Sequence, residues 1–391
     1  MDPKRWLPFL GLLFLLGSVI GIPALSVLAL SLGAVIALAS WWSARALDEV
    51  AYRRRFHYTR GFPGETTSVA VEVENRKLLP LSWLRVQDRW PKAVGPVDEA
   101  VLAPSHLPEE GYLTNIFSLR WFERTRRRYE IAFRKRGVYA VGPARLQSGD
   151  LFGMYTRSRT LPVEDRLVVY PEILSLPRVE APTNDPLGER AARRRLYEDP
   201  TRPIGVRPYH PEDSLRRIHW PATARTGSLQ VKVYQPTSGR VVVVCLNVAT
   251  FARHWEGVDL PLQERLVSTA ATLARQGIEA GFQVGLVSNG CISHSDRPFR
   301  IPPGRSTRQL SILLEALAGV SPVVVAPFER FLLREMPHLP YGASLLVVSA
   351  VLTPSLSETL LRLRRAERRV TLVSLSAAPP PVIPGVEVVR W

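Results

Sequence analysis

The run Val241-Val-Val-Val-Cys-Leu-Asn-Val248 is almost entirely apolar and rich in β-branched side chains. A strand buried on both faces has this composition, because helices cover both sides of a parallel sheet. After this run, segments with strand and helix character alternate along the chain. Such alternation predicts an open α/β sheet with right-handed crossovers.

The alternating segments continue almost to the end of the chain. Their spacing and composition predict helices at Leu260–Ala274, Thr307–Ala318 and Ser355–Glu367, and strands at Phe282–Val287, Ala343–Ser349 and Val370–Ser374. The order and lengths of these segments resemble a von Willebrand factor A-type domain, which would occupy residues 239–391.

The resemblance implies where a metal would bind. Metal-binding members of that family carry Asp-x-Ser-x-Ser after the first strand, and such oxygen ligands suit Mg²⁺. The matching residues here are Asn247, Ala249 and Phe251, so the charge and both hydroxyls are missing. A later loop that would supply another Asp reads Ser349-Ala350. We expect a degenerate site without a metal, in a domain that serves as a packing or docking platform.

A polar and aromatic stretch precedes this domain, Arg207-Pro-Tyr-His-Pro-Glu-Asp-Ser-Leu-Arg-Arg-Ile-His-Trp-Pro-Ala-Thr-Ala-Arg225. It is too polar for an ordinary core segment and too aromatic for an ordinary solvated loop. The alternating strand Leu229–Tyr234 follows it. This order resembles the signature of the domain of unknown function 58 family, although Glu212 stands where a glycine is common.

The signature residues have two interpretations, and the sequence leaves both open. In the structural one, Asp213 caps a turn, an arginine pairs with it, and Trp220 fills a gap where Pro221 bends the chain. In the functional one, the segment is a recognition patch, since Arg, Tyr and Trp dominate binding hot spots. The residues concerned are Arg207, Tyr209, Asp213, Arg216, Arg217, Trp220 and Arg225.

The sequence contains no hydrolase elbow, phosphate-binding loop, dinucleotide fingerprint or zinc motif. Asn289-Gly290 indicates a turn. We predict no catalytic residue and no cofactor. A less favoured alternative is a hydrolase-like enzyme centred on His210, Asp213 and His219.

The N-terminal region lacks charged residues from Trp6 to Ser43, a run too long for one membrane span. It is also much longer than the apolar part of a signal peptide. Gly21-Ile-Pro23 would divide it into Trp6–Ile20 and Ala24–Trp42. We therefore predict a two-helix transmembrane hairpin with its juxtamembrane segment over residues 1–56.

Basic residues flank this hairpin on both sides, with Lys4 and Arg5 before it and Arg45 and Arg53–Arg55 after it. By the positive-inside rule, both termini and the soluble domains face the cytoplasm. We expect the protein in the cell (inner) membrane. Cys245 and Cys291 are isolated, which fits a reducing compartment.

The region after the hairpin has strand character. Thr67–Glu74 alternates at period two, and Ser82–Asp88 and Tyr129–Phe133 are similar. No long apolar segment with helical period interrupts them, so we predict a β-sandwich-like domain over residues 57–180. An Arg-rich linker and the signature segment fill residues 181–238.

The chain carries a formal net charge of +16, from 51 basic and 35 acidic side chains. The arginines are spread along the chain and no nucleic-acid motif is present, so we do not predict nucleic-acid binding. Anionic lipid beside the membrane segment is a simpler partner for this charge.

These observations predict an α+β multidomain protein with a transmembrane hairpin, a β-sandwich-like domain and a C-terminal von Willebrand factor A-like domain. The domain of unknown function 58 resemblance implies association with MoxR-type AAA+ ATPases and a role in assembling membrane or envelope components. We expect a non-catalytic, membrane-anchored scaffold or adaptor that docks such an ATPase and other membrane or envelope proteins. The main alternative is a metal-dependent adhesion-type ligand binder, and no small-molecule substrate is identified.

Overall fold

The computed structural model describes residues 6–177, 198–211, 213–236, 241–253, 256–292, 295, 297–340, 342–366 and 368–391. Lys4, Arg5 and most of the predicted linker lie outside these residues. The chain divides into two compact units, one formed by Met1–Glu172 with Leu314–Val320 and the other by Ile173–Leu313 with Ser321–Trp391. The protein is a mixed α+β structure with several sheets.

Two apolar helices open the first unit, α1 (Leu7–Ile20) and α2 (Pro23–Arg45). Between them Gly21 adopts a left-handed conformation (φ 76°), which ends α1, and a proline starts α2. At Gly17 a side chain would come within 2.6 Å of the Ser26 hydroxyl, so glycine lets the helices approach closely. The helix α2 is long and apolar enough to cross a membrane, whereas α1 is shorter than a full span.

The rest of the first unit is built mainly from short strands. They are β1 (Val50–Phe56), β2 (Arg60–Gly61), β3 (Thr66–Asn75), β4 (Leu81–Pro91), β5 (Leu102–Pro104), β6 (Glu110–Leu119), β7 (Arg124–Ala132), β8 (Gly137–Val141), β9 (Ala144–Gly149), β10 (Thr156–Leu161) and β11 (Asp165–Val169). Three sheets result, with strand orders β1-β3-β7, β10-β9-β4-β6-β5 and β2-β11-β8. The three strands predicted from sequence lie within or across β3, β4 and β7.

One hydrophobic core joins the sheets of the first unit. Val69, Val71 and Val73 of β3 are buried, as the period-two pattern predicts, and Leu84 and Val86 of β4 meet them from the other sheet. Side chains from two antiparallel sheets thus share a single core, as a sandwich requires.

The second unit contains a longer series of helices and strands. They are β12 (Glu198–Pro208), α3 (Trp220–Thr226), β13 (Gln230–Pro236), β14 (Val241–Leu246), α4 (Leu260–Glu279), β15 (Gln283–Ile292), β16 (Pro298–Gly304), α5 (Thr307–Ala318), β17 (Val320–Val324), α6 (Phe328–Glu335), β18 (Ser344–Ser349), α7 (Pro354–Arg365), β19 (Arg369–Ser374) and β20 (Glu387–Arg390). The end of α5 and the first residue of β17 are grouped with the first unit.

The large sheet of the second unit has the strand order β16-β15-β14-β18-β19-β20, and β17 also pairs with β15. The strands β14, β15, β18, β19 and β20 run parallel, and β16 is antiparallel. Chain order runs outward in both directions from β14 and β18. The crevice at the carboxyl ends of these two strands is therefore the topological switch point, where open α/β sheets bind ligands.

The predicted alternation of strands and helices is confirmed, but the sequence interpretation missed β16, β17, α6 and β20. Three prolines in β16 obscure it, and this strand lies at a sheet edge, where proline is tolerated. The strand β20 is a short edge strand of four residues. The helix α6 has only eight residues, so its periodicity is brief.

Candidate functional site

The carboxyl edge of the large sheet brings three polar residues together. Leu246, at the end of β14, lies opposite Ser288 of β15 and Val348 of β18. The next residues along these strands, which face the same edge, are Asn247, Asn289 and Ser349. All three are buried.

These three side chains form a neutral hydrogen-bonded network. The Asn247 amide donates to the Ser349 hydroxyl at 3.0 Å, and the Asn289 amide donates to Asn247 Oδ1 at 3.0 Å. Asn247 Oδ1 also accepts the backbone N–H of Ala249, and Asn289 Oδ1 accepts that of Val248. The protein itself therefore provides hydrogen-bond partners for both amide oxygens, as buried polar groups require.

The residues at the degenerate metal positions have other roles in this edge. Asn247 closes the turn after β14 by accepting the Ala249 N–H, and Phe251 is partly exposed. Among the described residues, no group of three or more His, Cys, Asp or Glu side chains is placed to hold a metal ion.

Above this network lies a cleft of about 520 Å³. Its walls are mainly apolar and include Phe251, Val258, Val323, Val325 and Phe328. Among the described residues that line it, Glu329 carries the only ionisable side chain. The cleft thus offers an apolar surface with few groups capable of acid or base chemistry.

Asn289 shows where the sequence interpretation was wrong. Asn289-Gly290 lies inside β15 and forms no turn. A side chain at Gly290 would come within 2.9 Å of Val248, so the glycine allows the 247–249 segment to pack against β15. No local sequence pattern identifies Asn289 as a member of this network. Its position follows from the register of β15 beside β14, which becomes known only with the sheet pairing.

The signature segment is organised around Asp213. Both of its carboxylate oxygens receive the Arg207 guanidinium, at 2.6 and 2.7 Å, and one also accepts the His210 backbone N–H at 2.9 Å. The hydrogen bond from Arg207, with that from the His210 backbone, lowers the pKa of Asp213. The Tyr209 N–H donates to the Leu229 carbonyl, which ties the segment to the strand that follows.

The second half of the signature departs from the structural interpretation at Trp220. This residue does not fill a gap, because its side chain is 66% exposed. It does not mark a bend either, since it begins α3 with Pro221 in the first turn, where proline is tolerated. His219 caps this helix, because its Nδ1 accepts the Ala222 N–H at 3.1 Å. Asp213 closes a turn by accepting the His210 N–H, and Ser214 occupies the N-cap position of the short helix that follows.

The remaining signature residues are exposed where they are described. Arg217 and Arg225 lie on the surface, and Leu215 beside them is 67% exposed. The side chain of Arg216 lies outside the described part of the chain. Exposed Trp and Arg side chains so close in sequence fit the recognition-patch interpretation.

The first unit also contains a buried polar cluster, built from ionisable side chains, which the sequence interpretation missed. The fully buried Arg54 side chain faces Asp165 at 3.0 Å and Asp88 at 3.5 Å, and donates to the Val141 carbonyl. Tyr52 donates its hydroxyl to Asp88 at 2.7 Å. Burial raises the pKa of the Asp88 carboxyl, while the facing guanidinium acts in the opposite direction.

A single protein family matches a range of the chain that includes the signature and most of the large sheet. The profile of the family described as "Protein of unknown function DUF58" matches residues 205–386. The chain is also similar to the Uncharacterized protein YeaD of Bacillus subtilis (strain 168), with 22% identity over 240 residues, which are 61% of this chain and 55% of that protein. The match thus spans about half the length of this curated relative.

Solved structures resemble limited parts of the chain. Spo0M, a sporulation control protein from Bacillus subtilis, covers 32% of this chain and 50% of its own length, at 16% identity and a TM-score of 0.20. AvmM, which catalyses macrocyclization in alchivemycin A biosynthesis, covers 32% of this chain and 93% of its own, at 14% identity and a TM-score of 0.23. Scores this low carry no argument about fold or function.

Proposed function

We propose that this chain is a non-catalytic, membrane-anchored docking protein of the cell (inner) membrane. It holds partner proteins, among them a MoxR-type AAA+ ATPase, during assembly of membrane or envelope components. The observation that carries this proposal is the apolar cleft at the carboxyl edge of the large sheet, which lies over the neutral network of Asn247, Asn289 and Ser349. The site is placed to bind and is poor in groups that could catalyse.

The strand order supports a von Willebrand factor A-like domain in the second unit. An open parallel sheet with one antiparallel edge strand and helices between the strands fits the segment order that suggested this family. In this proposal the domain keeps the ligand-binding edge of the fold and uses it without a metal. The partner ATPase comes from the family resemblance alone.

The membrane anchor in this proposal is the α1–α2 hairpin. The helix α2 has the length and composition of a span, and Arg45 with Arg53–Arg55 follows it, which favours a cytoplasmic position for the soluble domains. The partners would then meet the cleft on the cytoplasmic side of the membrane.

Hydrogen bonding favours docking over the two alternatives. In a metal-dependent adhesion site, Asn247 Oδ1 would face the cation, whereas here it accepts from Ala249 and Asn289. In an enzyme centred on His210, Asp213 and His219, the carboxylate would orient a histidine. Here Asp213 is engaged by Arg207 and a backbone N–H, and His219 caps a helix.

Affinity capture of the full-length, detergent-solubilised chain from its native host, with ATP or ADP, tests the proposal. Phe251→Asp places a charge in the cleft, and we expect it to reduce recovery of the AAA+ ATPase about tenfold, equivalent to about 1.4 kcal/mol. Val382→Asp is the matched control, because Val382 is almost fully exposed and does not line the cleft. Equal recovery with both variants would contradict docking at the cleft.

A second pair of variants tests the signature segment. Arg216→Ala/Arg217→Ala and Trp220→Ala remove the candidate recognition residues without touching the cleft. Loss of the ATPase with these variants, but retention with Phe251→Asp, would place docking on the signature and not at the sheet edge. Mass spectrometry would identify the captured ATPase in each case.

A further inference from the structure

Three loops of the first unit display large apolar side chains to solvent. These side chains, here called the apolar pole, are between 60% and 74% exposed. They are Leu78 in the β3–β4 turn, Trp121 and Phe122 in the β6–β7 turn, and Leu151 and Phe152 in the β9–β10 turn. An exposed group of apolar side chains on a soluble surface commonly marks an interaction site.

The strands β1–β11 of the first unit are here called the β-domain. Strand register places all three turns at the end of the β-domain that α2 joins. The helix ends at Arg45 and β1 begins at Val50, which lies opposite Asn75 at the end of β3. The start of β7 pairs with the end of β3, and the end of β9 pairs with the beginning of β4. The helix α2 itself contacts β9 and β10.

The joint between α2 and the β-domain is buried and bonded. Ala46 and Leu47, directly after the helix, belong to the core of the β-domain. Lys77, in the β3–β4 turn, donates to the carbonyls of Ala46 and Asp48. The apolar pole therefore has a fixed position relative to the end of α2.

Buried polar residues hold the loops in shape while their apolar residues face outward. Asn75 donates to the carbonyls of Leu79 and Arg120, at 3.0 and 2.9 Å, and so links two of the turns. Asp150 accepts the backbone N–H groups of Phe152 and Tyr155, at 2.9 and 2.6 Å, and so shapes the third. This arrangement reverses the usual placement of polar and apolar side chains in a loop.

The backbone at Phe122 adds a separate indication. Its φ is 51°, in the left-handed region that bulky residues rarely adopt. Residues held in such conformations cluster at sites where function requires the strain. Here the conformation accompanies an aromatic side chain that is displayed to solvent.

We propose that the apolar pole inserts into the interfacial layer of the membrane that α2 crosses. This inference rests on the membrane anchorage proposed above. The bilayer is the occupant that the geometry favours, because the pole lies at the end of the β-domain from which α2 extends. Trp41, near the end of α2, is half exposed, and the Arg45 guanidinium lies 4.9 Å from its ring. Tryptophan is enriched at the membrane–water interface, which is where the end of a spanning helix lies.

Charges on the same turns suit the headgroup region. Arg76, Lys77 and Arg120 flank the apolar side chains. Of the nearby acids, Glu74 is paired with Arg76 at 2.8 Å, Glu123 accepts the Arg120 backbone N–H, and Asp48 and Glu49 lie beside Lys77. Aromatic and aliphatic side chains beside basic residues are typical of segments that lie in a membrane interface.

Fluorescent labels on the full-length chain in lipid vesicles test the inference. Single cysteines would replace Trp121 and Leu151 at the pole, Leu30 within α2, and Val97, an exposed apolar residue beyond the opposite end of β4. The native Cys245 and Cys291 are buried, so the introduced thiols are the ones that react. The labelled protein would be reconstituted in phosphatidylcholine–phosphatidylglycerol vesicles, with or without doxyl-labelled lipid, and also exposed to aqueous iodide.

We expect doxyl lipid to quench labels at positions 121 and 151 at least about twofold more than the label at 97, which iodide should quench instead. Labels at 121 and 151 that behave like the one at 97 would overturn the inference, provided that the label at 30 is quenched by lipid. A label at 30 that lipid does not quench would show instead that the anchorage itself is wrong. Labels at 121 and 151 shielded from both quenchers would identify a protein contact and also overturn the inference.

Discussion

The two units bury their polar side chains in contrasting ways. In the first unit, Arg54, Asp88 and Asp165 form a cluster of ionisable groups, and the Arg54 side chain is fully buried. In the second, Asn247, Asn289 and Ser349 form a neutral network whose hydrogen bonds come from the protein itself.

The two clusters differ in what the loss of one member would cost. A buried charge depends on its counter-charge, so the first cluster stabilises the fold only while it is complete. A neutral network loses only hydrogen bonds when one member is removed. The neutral network lies at the switch point of the sheet, so the docking proposed for that edge would need no cation.

The largest effect is expected from Arg54→Met, which leaves Asp88 buried without its main counter-charge. Breaking a buried ion pair in this way costs about 3–5 kcal/mol. Native-state hydrogen exchange of β4 peptides in the full-length chain would measure the loss in the free energy of opening.

The neighbouring Arg55→Met is the control for this prediction. Arg55 faces Glu72 at 3.2 Å, but the Arg55 side chain is largely exposed and Glu72 keeps Arg124 and Arg126 as partners, so we expect a loss of about 0–1 kcal/mol. If both variants lowered the opening energy of β4 equally, the ionic cluster would not be what stabilises the first unit.

A smaller loss is expected from Asn289→Leu, which removes one member of the neutral network. The Val248 N–H is left buried without its acceptor, which costs about 1–3 kcal/mol, whereas Asn247 Oδ1 keeps the Ala249 N–H as a donor. Cys245 reports this loss, since burial raises its pKa to about 12 and leaves it unreactive in the closed sheet.

Thiol labelling at neutral pH should therefore accelerate in Asn289→Leu and stay slow in Arg54→Met. Both native cysteines belong to the second unit, so labelling follows the opening of that unit. Acceleration in Arg54→Met to the same degree would mean that the two units do not open separately.

A local pH effect is expected at the signature segment. Arg207 lowers the pKa of Asp213 in the folded protein, so the bond contributes stability above the ordinary Asp value of about 3.9 and loses it as pH falls through the folded value. Amide exchange over residues 207–213, corrected for intrinsic rates, should therefore be slow at neutral pH and faster in acid.

Asp213→Asn should show the faster exchange already at neutral pH, with little further change in acid. Glu279→Gln is the control, because Glu279 lies in an exposed pair with Arg275 elsewhere in the same unit. Unchanged exchange in Asp213→Asn would show that Arg207 does not hold the segment through this carboxylate.

No effect at all is expected from Mg²⁺. A cation present at a hundredfold its Kd would stabilise the second unit by about 2.7 kcal/mol. Thermal unfolding with and without Mg²⁺ should give the same midpoint, because Asn247 Oδ1 is occupied by protein donors. A clear upward shift would favour the adhesion-type alternative.

The sequence predicted the elements with strong periodicity well. The apolar run at Val241 became β14, and the predicted helix at Thr307–Ala318 has the same bounds as α5. Edge elements were missed because partial exposure and prolines weaken their pattern. The division of the N-terminal apolar run at Gly21-Ile-Pro23 was visible because glycine and proline end and start helices.

Polar clusters could not be predicted in the same way. Arg54 meets Asp88 and Asp165 through sheet pairings that join distant parts of the chain, and nothing local marks it as buried. Asn289 carried a local signal, Asn-Gly, that pointed to a turn, and burial beside β14 overrode it. The sequence shows which side chains could form hydrogen bonds or ion pairs. Which partners they meet depends on the register of the paired strands.

The buried joint after α2 has a mechanical consequence. With Ala46 and Leu47 packed in the β-domain core and Lys77 bonded across the turn, the connection lacks the slack of a flexible tether. A force on the β-domain would therefore be passed on to α2. The β-domain would thus move together with α2, and lengthening the joint with a few glycines would let the two move separately.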